Sequence, residues 1–570
     1  MLRFLTLLLG VFLVALLGAS FFVAKKADRL APEHLARVID YTTDGLYHLE
    51  RGRVRTFPLG RRMELSDVRI VVDSVRLRQL AARDSIPEWL VTIQMKKLSV
   101  SGIRWEDLWF RKRLYCNDLE WEGLSVQVES GLGKTPFRLR KPKNQFHLAS
   151  AEVGNLRAAH MNFSLIHHNG PDQIRAVSLD GLLLGEKLRW TPAAPPAYAV
   201  LNLTLGATAL QLPHTRNQYG AAGWQVDFRE QVFRMKGFRF RQWLPDTVLA
   251  TRHQLDVGVI EARGLSRLDT AGTGYFTLQN LKLYNPRVAA AITREANSTF
   301  PQTKKDFPQR LLQKAGLPLL VEKVTVVRGA VTYEETRAET GRIGVALFDN
   351  LSGNITPLWL SKPPARVLPD PMYVQLKGQF QNRTLLAVNG EFDLQDSLQP
   401  FRITGKMSRL SANQISDLAA NLGHLRIQKL ELDSMLFWYR GDTRSIHTKL
   451  QLAYHDLAVQ LMRYDSAQKR LRRQPVLSLL ANELLLHPDN PLPSGPMRVA
   501  QTNYLRAETQ PFFSALWRAL FAGVKETAIA DPALLHYLQE KAATRAERKE
   551  ERLRRKENRR RRREAKDSAL

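Results

Sequence analysis

From Val68 onward, apolar and polar side chains alternate with period two. Leu124, Val126 and Val128 alternate with Ser125, Gln127 and Glu129, and Leu201, Leu203 and Leu205 with Asn202 and Thr204. Leu386, Val388, Phe392 and Leu394 recur around Asn389 and Glu391. Val374/Leu376/Phe380, Leu450/Leu452/Tyr454 and Leu457/Val459/Leu461 repeat the scheme. Alternation sets a dry face against a wet one, so each segment predicts a β-strand, and its recurrence predicts a mainly β body. Some segments change phase midway. Val91, Ile93 and Met95 give way to Leu98 and Val100 across Lys96-Lys97, and Leu425 and Ile427 to Leu430 and Leu432. A one-residue shift turns every side chain over, so these points predict bulges or strand breaks. Turns at Ser101-Gly102, Glu122-Gly123, Asp180-Gly181 and Arg328-Gly329 predict short connections and meandering antiparallel order.

Helical signals are few. Pro32 to Tyr47 predicts one helix, Ser411 to Leu422 a second that stops at Gly423, and Phe512 to Leu538 a third with a break at Asp531-Pro532. Thr191–Pro196 and Pro357–Pro371 predict long loops or module boundaries. The run Phe4 to Ala24 is 21 residues long and uncharged. At about 1.5 Å per residue it spans a hydrocarbon core of roughly 30 Å. Its length favours a retained single-pass anchor over a cleaved signal peptide with Gly18-Ala19-Ser20 as the cleavage site. Arg3 before it and Lys25, Lys26 and Arg29 after it leave the orientation undecided.

Charge changes the picture next. Lys and Arg number 84 against 55 Asp and Glu, a net +29. Residues 541–570 hold +8 of it and lack apolar periodicity, which predicts a solvated helix or a disordered tail. The other +21 belongs to the body, which should therefore favour anionic partners. The run Arg559–Arg563 fits anionic headgroups better than nucleic acid, because no nucleic-acid fold accompanies it. One cysteine, Cys116, excludes an intrachain disulfide framework.

Catalytic motifs fail one by one. Gly131-Leu132-Gly133-Lys134-Thr135 resembles part of a phosphate loop, but Val128 stands where its first glycine belongs and Pro136 where a helix should start. No G-x-S-x-G or H-E-x-x-H occurs. His160 and His167-His168 lack clustered carboxylates, and Glu106-Asp107 and Glu334-Glu335 are ordinary on wet faces. No catalytic, metal or cofactor site is nominated, and an enzyme is not expected.

Order along the chain then supplies a resemblance. Residues 35–47, from Leu35-Ala36-Arg37-Val38 to Gly45-Leu46-Tyr47, precede Leu65-Ser66-Asp67-Val68-Arg69-Ile70, Lys97-Leu98-Ser99-Val100-Ser101-Gly102-Ile103 and Asp118-Leu119-Glu120-Trp121-Glu122-Gly123-Leu124. This opening resembles that of AsmA-like proteins of bacterial envelopes. Val324-Thr325-Val326-Val327-Arg328-Gly329-Ala330-Val331-Thr332-Tyr333 and Phe348-Asp349-Asn350-Leu351-Ser352-Gly353 are similar to units of the AsmA C-terminal region. Phe401–Met407, Tyr454–Val459 and Phe512–Trp517 fit the same series. The resemblance implies a relation to TamB-like and bridge-like lipid-transfer proteins. It also implies an inner-membrane anchor, a periplasmic body and a long, curved antiparallel β-sheet groove with an apolar concave face.

The organisation expected is an anchor over 1–27, an AsmA-like N-terminal β region over 28–310, a C-terminal β region with a closing helix over 311–540, and the basic tail 541–570. The function expected is lipid handling, in phospholipid transport or outer-membrane biogenesis. Acyl chains would lie against Leu124, Val126, Leu203, Leu386, Val388, Phe392, Leu450 and Leu452, with anionic headgroups at the basic surface. The alternative is an anchored envelope scaffold that binds protein partners and carries no lipid. The two differ in whether the apolar strand faces are open or covered.

Overall fold

The computed structural model describes residues 36–530, apart from short interruptions and the longer ones at 134–148, 243–251, 268–274, 294–303 and most of 474–485. The expected anchor Phe4–Ala24 and the basic tail 541–570 lie outside the described residues. Among the described residues no helix is long and apolar enough to cross a membrane. The fold is mainly β, as the alternation predicts. It divides into two compact units, one of 1–248 with 252–267 and 277–288, the other of 249–251, 268–276 and 289–570. They part in sequence before the expected boundary at 310.

The first unit opens with β1 (Tyr47–Phe57), β2 (Arg62–Val72), helix α1 (Ser74–Ala82), β3 (Trp89–Ser101), helix α2 (Trp105–Arg111) and β4 (Arg113–Ser130). Two long strands follow, β5 (Ser150–Asn169) and β6 (Asp172–Thr191). Shorter ones are β7 (Ala194–Ala197), β8 (Val200–Leu205), β9 (Thr208–Leu212), β10 (Asn217–Ala221) and β11 (Gly223–Asp227). Then come β12 (Val232–Gln242), β13 (Arg252–Arg267), β14 (Phe276–Tyr284) and the start of β15 (Arg287–Thr293), which passes into the second unit at 289.

Several details depart from expectation, among them the expected turns at Glu122-Gly123, Asp180-Gly181 and Arg328-Gly329, which lie inside β4, β6 and the strand Leu319–Thr336 rather than between strands. The helix expected through Tyr47 ends at Thr42, and Tyr47 opens β1. The Thr43 hydroxyl donates to the Ile39 carbonyl at 2.7 Å, and Asp44 and Gly45 take left-handed φ of 56° and 73°, which turns the chain out of the helix. The antiparallel order is not uniform, because β4 and β5 run parallel from Arg113↔Ser150 to Ser130↔His167. The connection over 131–149 is long enough for the crossover that parallel pairing requires. In the stretch Thr191–Pro196, expected as loop, β7 pairs with β6 at Thr191↔Ala194.

The phase changes have two forms. In the second unit the pairing register itself shifts, between Ile427 and Lys429 and again up to Ser434. In the first unit it does not shift at Lys96, which stands opposite Asp67 on one side and Gly123 on the other. Those two residues are left-handed, with φ of 55° and 65°. A left-handed residue resets the alternation, so Met63 and Leu65 before Asp67 and Val68 and Ile70 after it all enter one buried core.

These resets line up across the sheet. Gly123 lies beside His160 (φ 53°) on the parallel strand, and His160 Nδ1 is 3.0 Å from Oδ1 of Asp180 (φ 56°). At the same level the Leu179 carbonyl accepts from Gly206 N–H at the break between β8 and β9. Gly237 (φ 61°) adjoins Ala222 at the break between β10 and β11 and stands opposite Gly258, which borders Asn285 (φ 51°). One transverse row of irregular residues therefore crosses the first unit from β2 to the β14–β15 turn.

The second unit contains helix α3 (Pro308–Gln313), β16 (Leu319–Thr336), β17 (Ile343–Thr356), β18 (Leu358–Trp359), β19 (Met372–Phe380) and β20 (Thr384–Phe392). After these lie β21 (Phe401–Met407), β22 (Leu410–Ser411), helix α4 (Ala412–Gly423), β23 (Leu425–Gly441) and β24 (Ser445–Asp465). The series closes with β25 (Arg470–Arg473), β26 (Val499–Leu505) and helix α5 (Phe512–Ala528). α4 begins as expected: Ser411 N–H donates to Gln414 Oε1 at 2.8 Å, half of a capping box. α5 ends at Ala528 with Ile529 already extended, close to the expected break at Asp531-Pro532, and the rest of the expected helix, 531–538, lies outside the described residues.

Candidate functional site

The eight apolar positions predicted to line a groove fall into three different environments. Leu386, Phe392, Leu450 and Leu452 are buried in the core of the second unit, and half-buried Val388 packs against the same core. Leu450 is 0% exposed. α5 lies over it, and Gly523 of that helix sits so close that a Cβ there would stand 3.1 Å from a Leu450 methyl. At the helix's N-terminal end Phe512 meets Phe307 at 4.8 Å and Phe401 at 5.2 Å, ring centre to ring centre, with Phe392 at 6.1 Å.

Arg506 locks this end. Its guanidinium lies 4.6 Å from the centre of the Phe307 ring and donates to the carbonyls of Thr443 (2.9 Å), Lys305 (2.6 Å) and Gln510 (2.5 Å). The groove expected over these positions is filled here, because α3, α4 and α5 supply apolar side chains that pack on this face. A cavity of about 450 Å³ beside α4 is lined by Asn413, Ser416, Asp417, Arg426, Gln428 and Gln460 with Ala412 and Ile427, a mainly polar set unsuited to acyl chains.

In the first unit, Val126 is 2% exposed and clusters with Val91 and Val128, against which Leu124, Phe163 and Leu165 pack. Leu203 is different: it is half-buried in the middle of a series of apolar cross-strand rungs. One rung runs Leu183–Leu203–Val226–Phe233–Ala262 across β6, β8, β11, β12 and β13. The next on the same face runs Leu205–Trp224–Met235–Ile260. Only Leu205 and Ala262 of these nine are buried; the other seven are half-buried.

The rung between them, Thr204–Gln225–Arg234–Glu261, projects from the other face. Arg234 Nε and Arg263 Nε each lie 2.9 Å from a Glu261 carboxylate oxygen. The Arg234 hydrogen bond above all holds that carboxyl below its ordinary value. The strands thus have one charged face and one apolar face. Helices pack against β4, β17, β18, β22, β23, β24 and β26, and among the described residues none occurs in sequence between α2 and α3. The apolar face of β8, β11, β12 and β13 is therefore only partly covered among the described residues, and of the predicted positions only Leu203 marks it. Trp224, Phe233, Met235 and Ile260 were legible as alternation, but nothing in their spacing distinguishes an uncovered face.

Titratable groups are dispersed. His160 pairs with Asp180, Ser130 Oγ lies 2.9 Å from His167 Nδ1, and His168 Nε2 is 3.8 Å from Glu129. Among the described residues no cluster of three His, Cys, Asp or Glu is arranged to hold a metal. Burial, aided by Asp118, pushes the Cys116 thiol up to about 12, which makes it inert. No family model matches the chain, and no curated protein matches it.

Proposed function

We propose that this chain is an AsmA-like protein of the bacterial envelope, anchored in the inner membrane by Phe4–Ala24 with its body in the periplasm. In this reading it handles lipids, and the apolar face of β8, β11, β12 and β13 takes acyl chains. The observation that carries the reading is the half-buried rung Leu203–Val226–Phe233 with its neighbour Trp224–Met235–Ile260. Apolar area left in contact with water costs about 25 cal/mol per Å², and acyl chains are a ligand that relieves it without demanding hydrogen bonds. The first unit is then the lipid-handling part, and the second, with its filled core, is structural.

A second reading, an anchored scaffold that binds protein partners and carries no lipid, is favoured by that filled core. Native mass spectrometry of the full chain released from detergent separates the two. Retained phospholipid that disappears in the Leu203→Asp/Phe233→Asp double variant supports lipid handling. Absence of phospholipid from the wild-type chain supports the scaffold.

A further inference from the structure

One end of the first unit's sheet presents exposed apolar tips among mainly basic residues, with Glu106 of α2 an exposed acid beside them. The turn joining β1 to β2 carries Leu59, 105% exposed, and Phe57, 45% exposed. Ile103 N–H donates to the Arg61 carbonyl at 3.0 Å, which brings α2 to the same end. Leu108 of that helix is fully buried, whereas Phe110 is 87% exposed. Leu59 and Phe110 are thus the most exposed large apolar side chains described in this unit, and they project from adjoining elements.

Charge accompanies them. Residues 51–62 contain five arginines and no acid. Arg55 and Arg61 are exposed and form no ion pair among the described residues, and the same holds for Lys112 and Arg113 after α2. Nucleic acid would use the cations but gain nothing from a protruding Leu and Phe, and a protein groove would not call for so many unpaired cations. A bilayer interface uses both, since apolar tips enter the headgroup–acyl boundary while arginines meet phosphates.

We infer that this end of the first unit docks on the surface of an anionic lipid bilayer. The docking is independent of whether β8, β11, β12 and β13 take acyl chains, because it uses other residues at the sheet's end. Cys116 is buried, so a cysteine placed at an exposed site is labelled selectively. The test uses the full chain held in phosphatidylcholine nanodiscs, with Leu59→Cys, Phe110→Cys or Leu505→Cys carrying a polarity-sensitive nitrobenzoxadiazole group. Leu505, 76% exposed in the other unit, is the control.

On adding phosphatidylglycerol-containing vesicles, emission at positions 59 and 110 should rise at least twofold, with no rise at 505 and none with pure phosphatidylcholine. Arg55→Gln with Arg61→Gln should weaken vesicle binding on the order of tenfold. No rise at 59 and 110, or an equal rise at 505, overturns the inference. So does binding to DNA that the Leu59→Ser/Phe110→Ser variant matches while vesicle binding is also unchanged.

Discussion

Gly523 of the closing helix lies against Leu450 of β24 so closely that a Cβ would come within 3.1–3.2 Å of the leucine side chain. That contact brings a helix onto the sheet and removes Leu450 from water altogether. Gly523→Leu should therefore lower the unfolding free energy by about 2 kcal/mol or more, since overpacking a filled core costs about 1–3 kcal/mol. Leu450→Ala should cost about 2–5 kcal/mol by leaving a cavity. Denaturant unfolding followed by hydrogen exchange in β24 and α5 reads both.

At the other end of the same helix, Arg506→Met should cost about 3 kcal/mol, because the guanidinium satisfies three carbonyls that methionine leaves bare. Arg506→Lys should recover only part, since an ammonium cannot reproduce the planar fork. Thermal unfolding of the three proteins gives the order wild type, Lys, Met.

Leu203 and Leu450 read alike in the sequence, each an apolar residue alternating with polar neighbours on a strand, yet one is half-buried and the other sealed. Alternation reports that one face is dry and not what dries it. For Leu450 the answer lies in Gly523 and Phe512, far along the chain, whose own spacing shows only that they belong to an amphipathic helix. The phase changes were more legible. The switch from Ile427 to Leu430 marks a real register shift. That from Met95 to Leu98 marks left-handed residues on the neighbouring strands, and their alignment into one row depends on inter-strand register, which no single segment encodes. The parallel pairing of β4 with β5 was hidden for the same reason.

Gly123 tests the row. It has φ of 65°, and a Cβ there would stand 2.6 Å from Lys96 Cδ. Gly123→Val should destabilise the first unit by roughly 1–3 kcal/mol, mostly through the left-handed backbone, because the lysine can move aside. Asp67→Gly should be nearly neutral. Alkylation of Cys116 reports unfolding of this unit: with its thiol pushed up to about 12 and buried, reaction at pH 8.5 should be confined to the unfolded chain.

The acid limb of stability should involve Glu261. Arg234 and Arg263 hold its carboxyl below the ordinary value of about 4.3. A depressed carboxyl contributes stability fully above the unfolded pKa and loses it as pH falls through the lower folded value. Wild type should therefore exceed Glu261→Gln above about pH 4.3, and the gap should close on further acidification. Denaturant titrations at several pH values measure that gap.

The central claim is that the apolar face of β8, β11, β12 and β13 holds acyl chains, and its most direct test exploits neighbours on opposite faces of one strand. Phe233 lies in the apolar rung and Arg234 in the charged one. A benzophenone amino acid placed at 233, 224 or 234 of the full chain, irradiated in cells and purified under denaturing conditions, should yield phospholipid adducts at 233 and 224. Adducts at 234 should be at least tenfold fewer. No lipid adducts at 233 and 224, or equal yields at all three positions, would contradict the account.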